Sequence, residues 1–248
     1  MRIPKFWARA KSGRFEAPGW SFTSFDEAKR VAAERVKLLA AVLTGKQSPE
    51  GRYLYGDRPV REPVFQTIGD PSKPEALITR NSYGALCLNT EEVAFVDVDN
   101  ADVNHIRAAQ ARQPSWALRV YRTKAGLRVV AMHARLSPKS ADAAKLFEAL
   151  GADPLYVKLC AMQESFRARL TPKPWRIGLR RLPASFPWRD SAVEETVNEW
   201  VETYDAARAD YAVCELAGVF GTPTPDATID RIVKLQDDWV LAAGKPLA

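Results

Sequence analysis

Three cysteines, Cys87, Cys160 and Cys214, are spread through 248 residues, and no two stand in a CxxC spacing. That count and separation exclude a disulfide framework and a thiolate zinc site, leaving buried or idle thiols. Histidine is scarcer still: His105 and His133 have no carboxylate or serine partner nearby in sequence, so both are expected to be structural. By its position at a strand end, His133 could also reach the sheet face of the acids discussed below. No apolar run approaches the roughly 18 residues of a membrane span, and no apolar core of signal-peptide length opens the chain. A cytoplasmic protein without a membrane partner is the expectation. GxSxG, Walker-type and GxGxxG sequences are missing, which removes the commonest hydrolase, ATPase and dehydrogenase chemistries. Acidic residues, finally, are missing from the whole stretch between Phe166 and Arg189.

What is present is cationic. The formal net charge is +6 and the isoelectric point about 9.3, a bias toward an acidic partner such as nucleic acid. Residues Met1 to Trp20 are basic and aromatic and read as an irregular arm or edge strand. Ser24-Phe25-Asp26-Glu27 is a capping box, and apolar residues at helical spacing carry its helix to Gly45. Lys46 to Asp57 reads as loop, followed by an aromatic and basic connection with Tyr53, Tyr55, Arg58 and Arg61 that could line a groove.

From Ala76 the pattern becomes β. Ala76 to Thr79, Ala85 to Leu88 and Val93 to Val98, with turns at Asn81 to Gly84 and at Asn89-Thr90, predict an antiparallel meander. A helix capped by Asn100 is expected to reach Arg112. Trp116 to Arg122 and Leu127 to His133 form a hairpin about Thr123-Lys124-Ala125-Gly126, with Gly126 free to take a positive φ. A helix opening at Ser137-Pro138 ends before Gly151. Strand, helix, strand, strand, helix is the first part of a ferredoxin-like or RNA-recognition-like unit. The expected class is therefore α+β, an RRM-like antiparallel sheet with packing helices, an N-terminal helix and a C-terminal helical region. The C-terminal helices are a capping-box helix from Ser191 and another after Thr222-Pro223-Thr224-Pro225. Segments 1–75, 76–189 and 190–248 are the expected divisions, which can also form one compact domain.

Three constellations carry chemistry. Phe95-Val96-Asp97-Val98-Asp99-Asn100 is an apolar strand ending in two carboxylates at i, i+2, hence on one face. Two such acids repel unless a cation lies between them, and Mg²⁺ or Mn²⁺ suits hard oxygen ligands. The competing reading is that Asp99 or Asn100 merely caps the following helix while Asp102 complements its dipole, which leaves Asp97 without a role. The hairpin gathers Arg119, Arg122, Lys124 and Arg128, a tip suited to phosphate or to plain solvation. The acid-free stretch carries Arg167, Arg169, Lys173, Trp175, Arg176, Arg180, Arg181 and Arg189, with Phe186 and Trp188 interleaved. Arginine for phosphates and rings for base stacking suit a single-strand or primer-template groove. The alternative is a basic, proline-rich wrap whose rings pack on the core.

With these elements in order, Ala76 to Arg181 resembles the catalytic core of archaeo-eukaryotic primases and the related bacterial primase-polymerases. Phe95 to Asp99 matches that family's hydrophobic-D-x-D motif. Thr123 to Arg128 occupies the place of its SxxGxH motif, with Arg128 where the family has histidine. Arginine keeps a positive charge but cannot act as a neutral imidazole. The nearest candidates by order for a third acid are Asp153 and Glu164. The resemblance implies that Asp97 and Asp99 are catalytic and hold the metal, and that Lys124 and Arg128 stabilise phosphate charge. The Phe166 to Arg189 segment would hold template or primer. It also implies nucleoside triphosphate and nucleic acid as partners, for an active enzyme or for a degenerate homologue that only binds. The other reading open is a non-catalytic nucleic-acid-binding protein whose Asp99 and Asn100 only cap a helix. A haloacid-dehalogenase-type phosphatase is disfavoured by the antiparallel neighbours, and a DxD glycosyltransferase by the missing βα units.

Overall fold

Of the two readings of the aromatic and basic N-terminus, strand is the one found, as a two-stranded hairpin rather than a single edge strand or an irregular arm. In the computed structural model, which describes residues 1–46 and 59–248, β1 (Phe6–Ser12) and β2 (Phe15–Ser21) pair antiparallel. Gly13 turns the chain between them with a φ of 58°. The hairpin lies against α1 (Phe25–Leu43), where a Cβ added at Gly19 would sit 2.2 Å from the backbone N of Ala32. Ala28 and Ala32, both fully buried, are small enough to allow that approach. Ser24 caps α1 as its motif predicts, accepting from the Glu27 N–H, while the Glu27 carboxylate accepts from the hydroxyls of Ser21 and Thr23. Tyr53, Tyr55 and Arg58 lie outside the described residues; Arg61 stacks on Trp20.

Next in chain order come β3 (Val64–Asp70), β4 (Lys73–Arg80), β5 (Leu86–Thr90), β6 (Phe95–Asp99), α2 (Val103–Arg112), β7 (Leu118–Thr123) and β8 (Gly126–Ala131). After them come α3 (Ala141–Leu150), α4 (Pro154–Gln163), β9 (Phe166–Arg169), α5 (Ser191–Arg208), β10 (Cys214–Phe220) and α6 (Ala227–Val240). The strands build two four-stranded antiparallel sheets, in the orders β3-β4-β5-β9 and β10-β7-β8-β6. The protein is thus α+β, with three antiparallel sheets among the described residues, and no described helix is long and apolar enough to cross a membrane.

The expected three-strand meander is corrected by this pairing. β4 and β5 do form a hairpin, but β6 leaves for the second sheet and pairs with β8. Asn89 and Thr90 belong to β5 rather than to a turn, and the Asn89 amide donates to the carbonyls of Leu77 and Cys87. The C-terminal region is not purely helical, because β10 lies between its helices and extends the second sheet beside β7. Pairing of β3 with β4 and of β10 with β7 also crosses the expected divisions after residues 75 and 189.

Three helices start at residues other than those expected. Asp102 caps α2, accepting from the N–H groups of Asn104 and His105, while Asn100 adopts a φ of 54°. Ser140 caps α3 and Asp190 caps α5. Each is a short polar side chain near the one predicted, so the same donors are satisfied in a shifted register. Gly126 is not at positive φ; it serves a close approach, since a Cβ there would lie 2.2 Å from the Val98 carbonyl oxygen.

The main core lies between the sheets and α2 and α3. Phe95, Val96, Leu118, Val120, Val129 and Val130 are fully buried, together with Ile106 of α2 and Leu146 and Leu150 of α3. Full burial of a large apolar side chain contributes about 1.5–3 kcal/mol, so this block fixes β6 and its terminal acids in position. Cys87, Cys160 and Cys214 are free and buried.

Candidate functional site

Strand alternation brings Asp97 and Asp99 to the same face of β6, with Val96 and Val98 turned into the core. Asp97 sits opposite Arg128 in the β6–β8 register and Asp99 opposite Gly126. Gly126 leaves room for the Asp99 backbone, whose Cα would be 3.0 Å from an added Cβ. Since Asp102 caps α2, capping explains neither Asp99 nor Asn100. Asp99 is exposed, and its carboxylate makes no hydrogen bond or ion pair among the described residues.

Arg128 is not at the hairpin surface. Its side chain is 0% exposed, and Nε donates to Asp97 Oδ1 at 3.1 Å while Nη1 donates to the Arg169 carbonyl at 2.7 Å. One guanidinium therefore ties the acid strand of one sheet to β9 of the other. Burial opposes its charge, but the Asp97 carboxylate outweighs that cost and holds the guanidinium protonated above its usual range. Its Nη2 is buried without a hydrogen-bond partner among the described residues.

A cavity of about 610 Å³ opens between the two sheets in front of the acids. Asp97 and Asp99 line one side with the hairpin residues Thr123, Ala125 and Leu127, and with Asp153 at the start of α4. The Asp153 backbone N–H donates to the Asp97 carbonyl at 3.1 Å, and its carboxylate caps α4 by accepting from Leu155 N–H. Tyr156 fastens the same helix by donating to the Phe95 carbonyl at 2.7 Å. The other side is cationic: Arg167 and Arg169 project together from β9, and Lys173 and Arg176 follow in the adjoining 3₁₀ turn region. The Asn81 to Gly84 turn contributes Tyr83, whose phenol burial pushes up to about 12.

Not all of these cations are equivalent. Arg167 is neutralised by Glu62 at 2.6 Å. Arg169 has a buried Nη1 without a partner among the described residues. Burial, then repulsion from Arg169 and Arg176, holds the Lys173 amine below its usual range, and Asp97 and Asp99 only partly restore it. Arg176 is lowered in the same way by burial and by Arg169. Three like charges held together at an open cavity store electrostatic energy that an anion would release.

The expected clustering of four cations at the β7–β8 hairpin is not what the fold builds. Arg119 turns to α6 and pairs with Asp237 at 2.5 Å, with the Tyr121 hydroxyl donating to the same carboxylate. Arg122 and Lys124 do not line the cavity, and Arg128 lies beneath Asp97. Of the acid-free stretch, Arg167, Arg169, Lys173 and Arg176 reach the cavity, whereas Arg180 and Arg181 are exposed outside it. Trp175 is 45% exposed, with Lys173 and Arg181 over its ring and Tyr83 edge-on at 5.2 Å. Phe186 packs between Trp7 and Trp188 as well as lining the cavity.

Glu164 pairs with Lys139 away from the cavity, so of the two candidate third acids only Asp153 is near Asp97. His105 contacts the Leu150 carbonyl, and His133 stacks on Trp116 without reaching the cavity. Sequence reading missed Glu62, Tyr83 and Tyr156, which reach the site only through long-range packing. Among the described residues no group of three or more His, Cys, Asp or Glu side chains is placed to hold a metal ion. Comparison with protein-family models, with curated proteins and with solved structures found no match.

Proposed function

We propose that the protein is a metal-dependent nucleotidyltransferase of primase-polymerase type, taking a nucleoside triphosphate in the cavity and acting on a nucleic-acid strand. The observation that carries this reading is that Asp97 and Asp99 open onto the same cavity as Arg169, Lys173 and Arg176. Its volume of about 610 Å³ falls inside the roughly 300–1,000 Å³ of small-ligand sites. Acids on one wall and unneutralised cations on the other form the donor set that a metal-chelated polyphosphate complements.

The residues present fit Mg²⁺ or Mn²⁺. Asp99 and the second carboxylate oxygen of Asp97 are hard donors, and such ions commonly take one or two carboxylates plus phosphate oxygens. An ion held there would neutralise phosphate charge and lower the pKa of an attacking 3′-hydroxyl. Arg169, Lys173 and Arg176 bind the triphosphate and balance charge on the departing pyrophosphate. Arg128 fixes Asp97 from below, so the carboxylate does not have to be ordered when the nucleotide arrives. Trp175, with Lys173 and Arg181 beside it, offers an aromatic and cationic surface near the cavity for an unpaired strand. An RRM-like description of the second sheet is supported by the succession β6, α2, β7, β8, α3 and the adjacency β7-β8-β6, with β10 added at the β7 edge.

A second reading, nucleotide binding without transfer, is favoured by one contact: Arg128 already neutralises Asp97. Extension of a labelled primer on a single-stranded template with Mn²⁺ separates the two. Extension that disappears in Asp99→Asn supports the transferase. Nucleotide binding without extension selects the second reading, and absence of both defeats each.

A further inference from the structure

Arg128 occupies a position that matters for the number of cations the acid pair can take. It is fully buried, it is bonded to Asp97 Oδ1 on the neighbouring strand, and its Nη1 is anchored on the Arg169 carbonyl of the other sheet, so it cannot swing aside without breaking both the ion pair and the link between the sheets. Two-ion phosphoryl-transfer sites place their ions about 3.5–4 Å apart. A carboxylate that bridges such a pair offers one oxygen to each ion. Asp97 has one oxygen engaged, and Asp99 and Asp153 are the only other carboxylates on this wall of the cavity among the described residues. Asp153 likewise has one oxygen engaged, capping α4, so neither it nor Asp97 can offer an oxygen to each of two ions without giving up a bond.

Charge leads to the same place. With Arg61 and the Arg167–Glu62 pair also on the lining, and Arg128 beneath Asp97, six cations already meet four carboxylates before any ion enters. One divalent ion leaves the site complementary to a triphosphate. A second would add two further charges to a cluster in which Lys173 and Arg176 are already held below their usual range by burial and by Arg169.

We infer that Arg128 is a positioning residue that stands in for one divalent cation, so the site takes a single metal ion, on Asp99 and the free oxygen of Asp97. This rests on the reading that the acid pair binds metal with nucleotide, and it specifies how. Replacing Arg128 by a shorter, neutral side chain frees Asp97 Oδ1 and opens a second ion position.

The test is anomalous diffraction from crystals of the full chain grown with Mn²⁺ and a non-hydrolysable nucleoside triphosphate, for the native protein and for Arg128→His. One manganese peak at Asp97 and Asp99 in the native protein, and two in Arg128→His, is the expected result. Two peaks in the native protein overturn the inference while leaving metal binding intact. No peak at the acid pair overturns the underlying reading instead. A single peak in both proteins shows that something other than Arg128 limits the site and removes its assigned role. If Arg128→His does not fold, the native peak count alone decides between one ion and two.

Discussion

At the scale of single residues, the two acids of β6 look alike in sequence and differ in their structural roles. Asp97 is the countercharge of a fully buried guanidinium, whereas the Asp99 carboxylate has no bonded partner among the described residues. Removing one member of a fully buried pair costs about 3–5 kcal/mol because the other charge is left uncompensated; here Arg128 is buried but Asp97 is 34% exposed, which places the cost at or below about 3 kcal/mol. Asp97→Ala is therefore expected to lower stability by that amount in denaturant titration, while Asp99→Ala changes it by less than about 0.5 kcal/mol, as at ordinary surface positions. Equal losses would show that Arg128 does not depend on Asp97. It follows that loss of activity in Asp97→Ala confounds chemistry with folding, and Asp99→Asn is the cleaner probe. Gly126 belongs at this scale too. A Cβ at residue 126 would press on the Val98 carbonyl, so Gly126→Ala is expected to shift the end of β6 and to destabilise by about 1–3 kcal/mol, as overpacking does. A melting temperature equal to that of the native protein would contradict this.

At the scale of elements, the sequence was most readable where a signal is local. The capping box of α1, the β7–β8 hairpin and the approximate extents of α2, α5 and α6 follow from caps, turns and apolar spacing. Ser24→Ala removes the cap bond to Glu27 N–H and is expected to cost about 1 kcal/mol in thermal or chemical unfolding. An unchanged midpoint would show that the contacts of Glu27 with Ser21 and Thr23 hold the helix end without it. Elements without a local signature were missed. β3 (Val-Phe-Gln-Thr-Ile-Gly-Asp) is mostly exposed and has no period-2 alternation of apolar and polar residues, Gly218 and a bulge interrupt β10, and α4 (Pro-Leu-Tyr-Val-Lys-Leu-Cys-Ala-Met-Gln) is apolar all round and shows no helical stripe. The meander failed for a different reason: the run Val93 to Val96 leading into β6 is buried and apolar on both faces and can pair in either sheet, so its partner is settled by tertiary packing.

At the scale of the whole molecule, the candidate site was half legible. Asp97 and Asp99, and the cations Arg167, Arg169, Lys173 and Arg176, were marked by the strand-end motif and by the lack of acids between Phe166 and Arg189. Their meeting was not legible, because it depends on β9 pairing with β5 and on Arg128 reaching across to the Arg169 carbonyl. The partition of cations changed with it: Arg119 belongs to Asp237 and α6, while Arg169, Lys173 and Arg176 face the cavity. With a net charge of +6, binding to single-stranded nucleic acid is expected to weaken steeply as salt rises. Replacing the exposed Arg180 and Arg181 by Ala should flatten that salt dependence without changing nucleotide affinity. Loss of nucleotide affinity in that variant would place the triphosphate elsewhere.

The central claim, that the acids and the cations form one nucleotide site, is tested most directly by calorimetric titration of the full chain with a non-hydrolysable nucleoside triphosphate. The titration is run with and without Mg²⁺, on the native protein, Asp99→Asn and Arg169→Ala. The account predicts saturable binding that needs the divalent ion and weakens at least about tenfold, or about 1.4 kcal/mol, in each variant. Affinity that is the same with and without Mg²⁺, or that is unchanged in both variants, would contradict it.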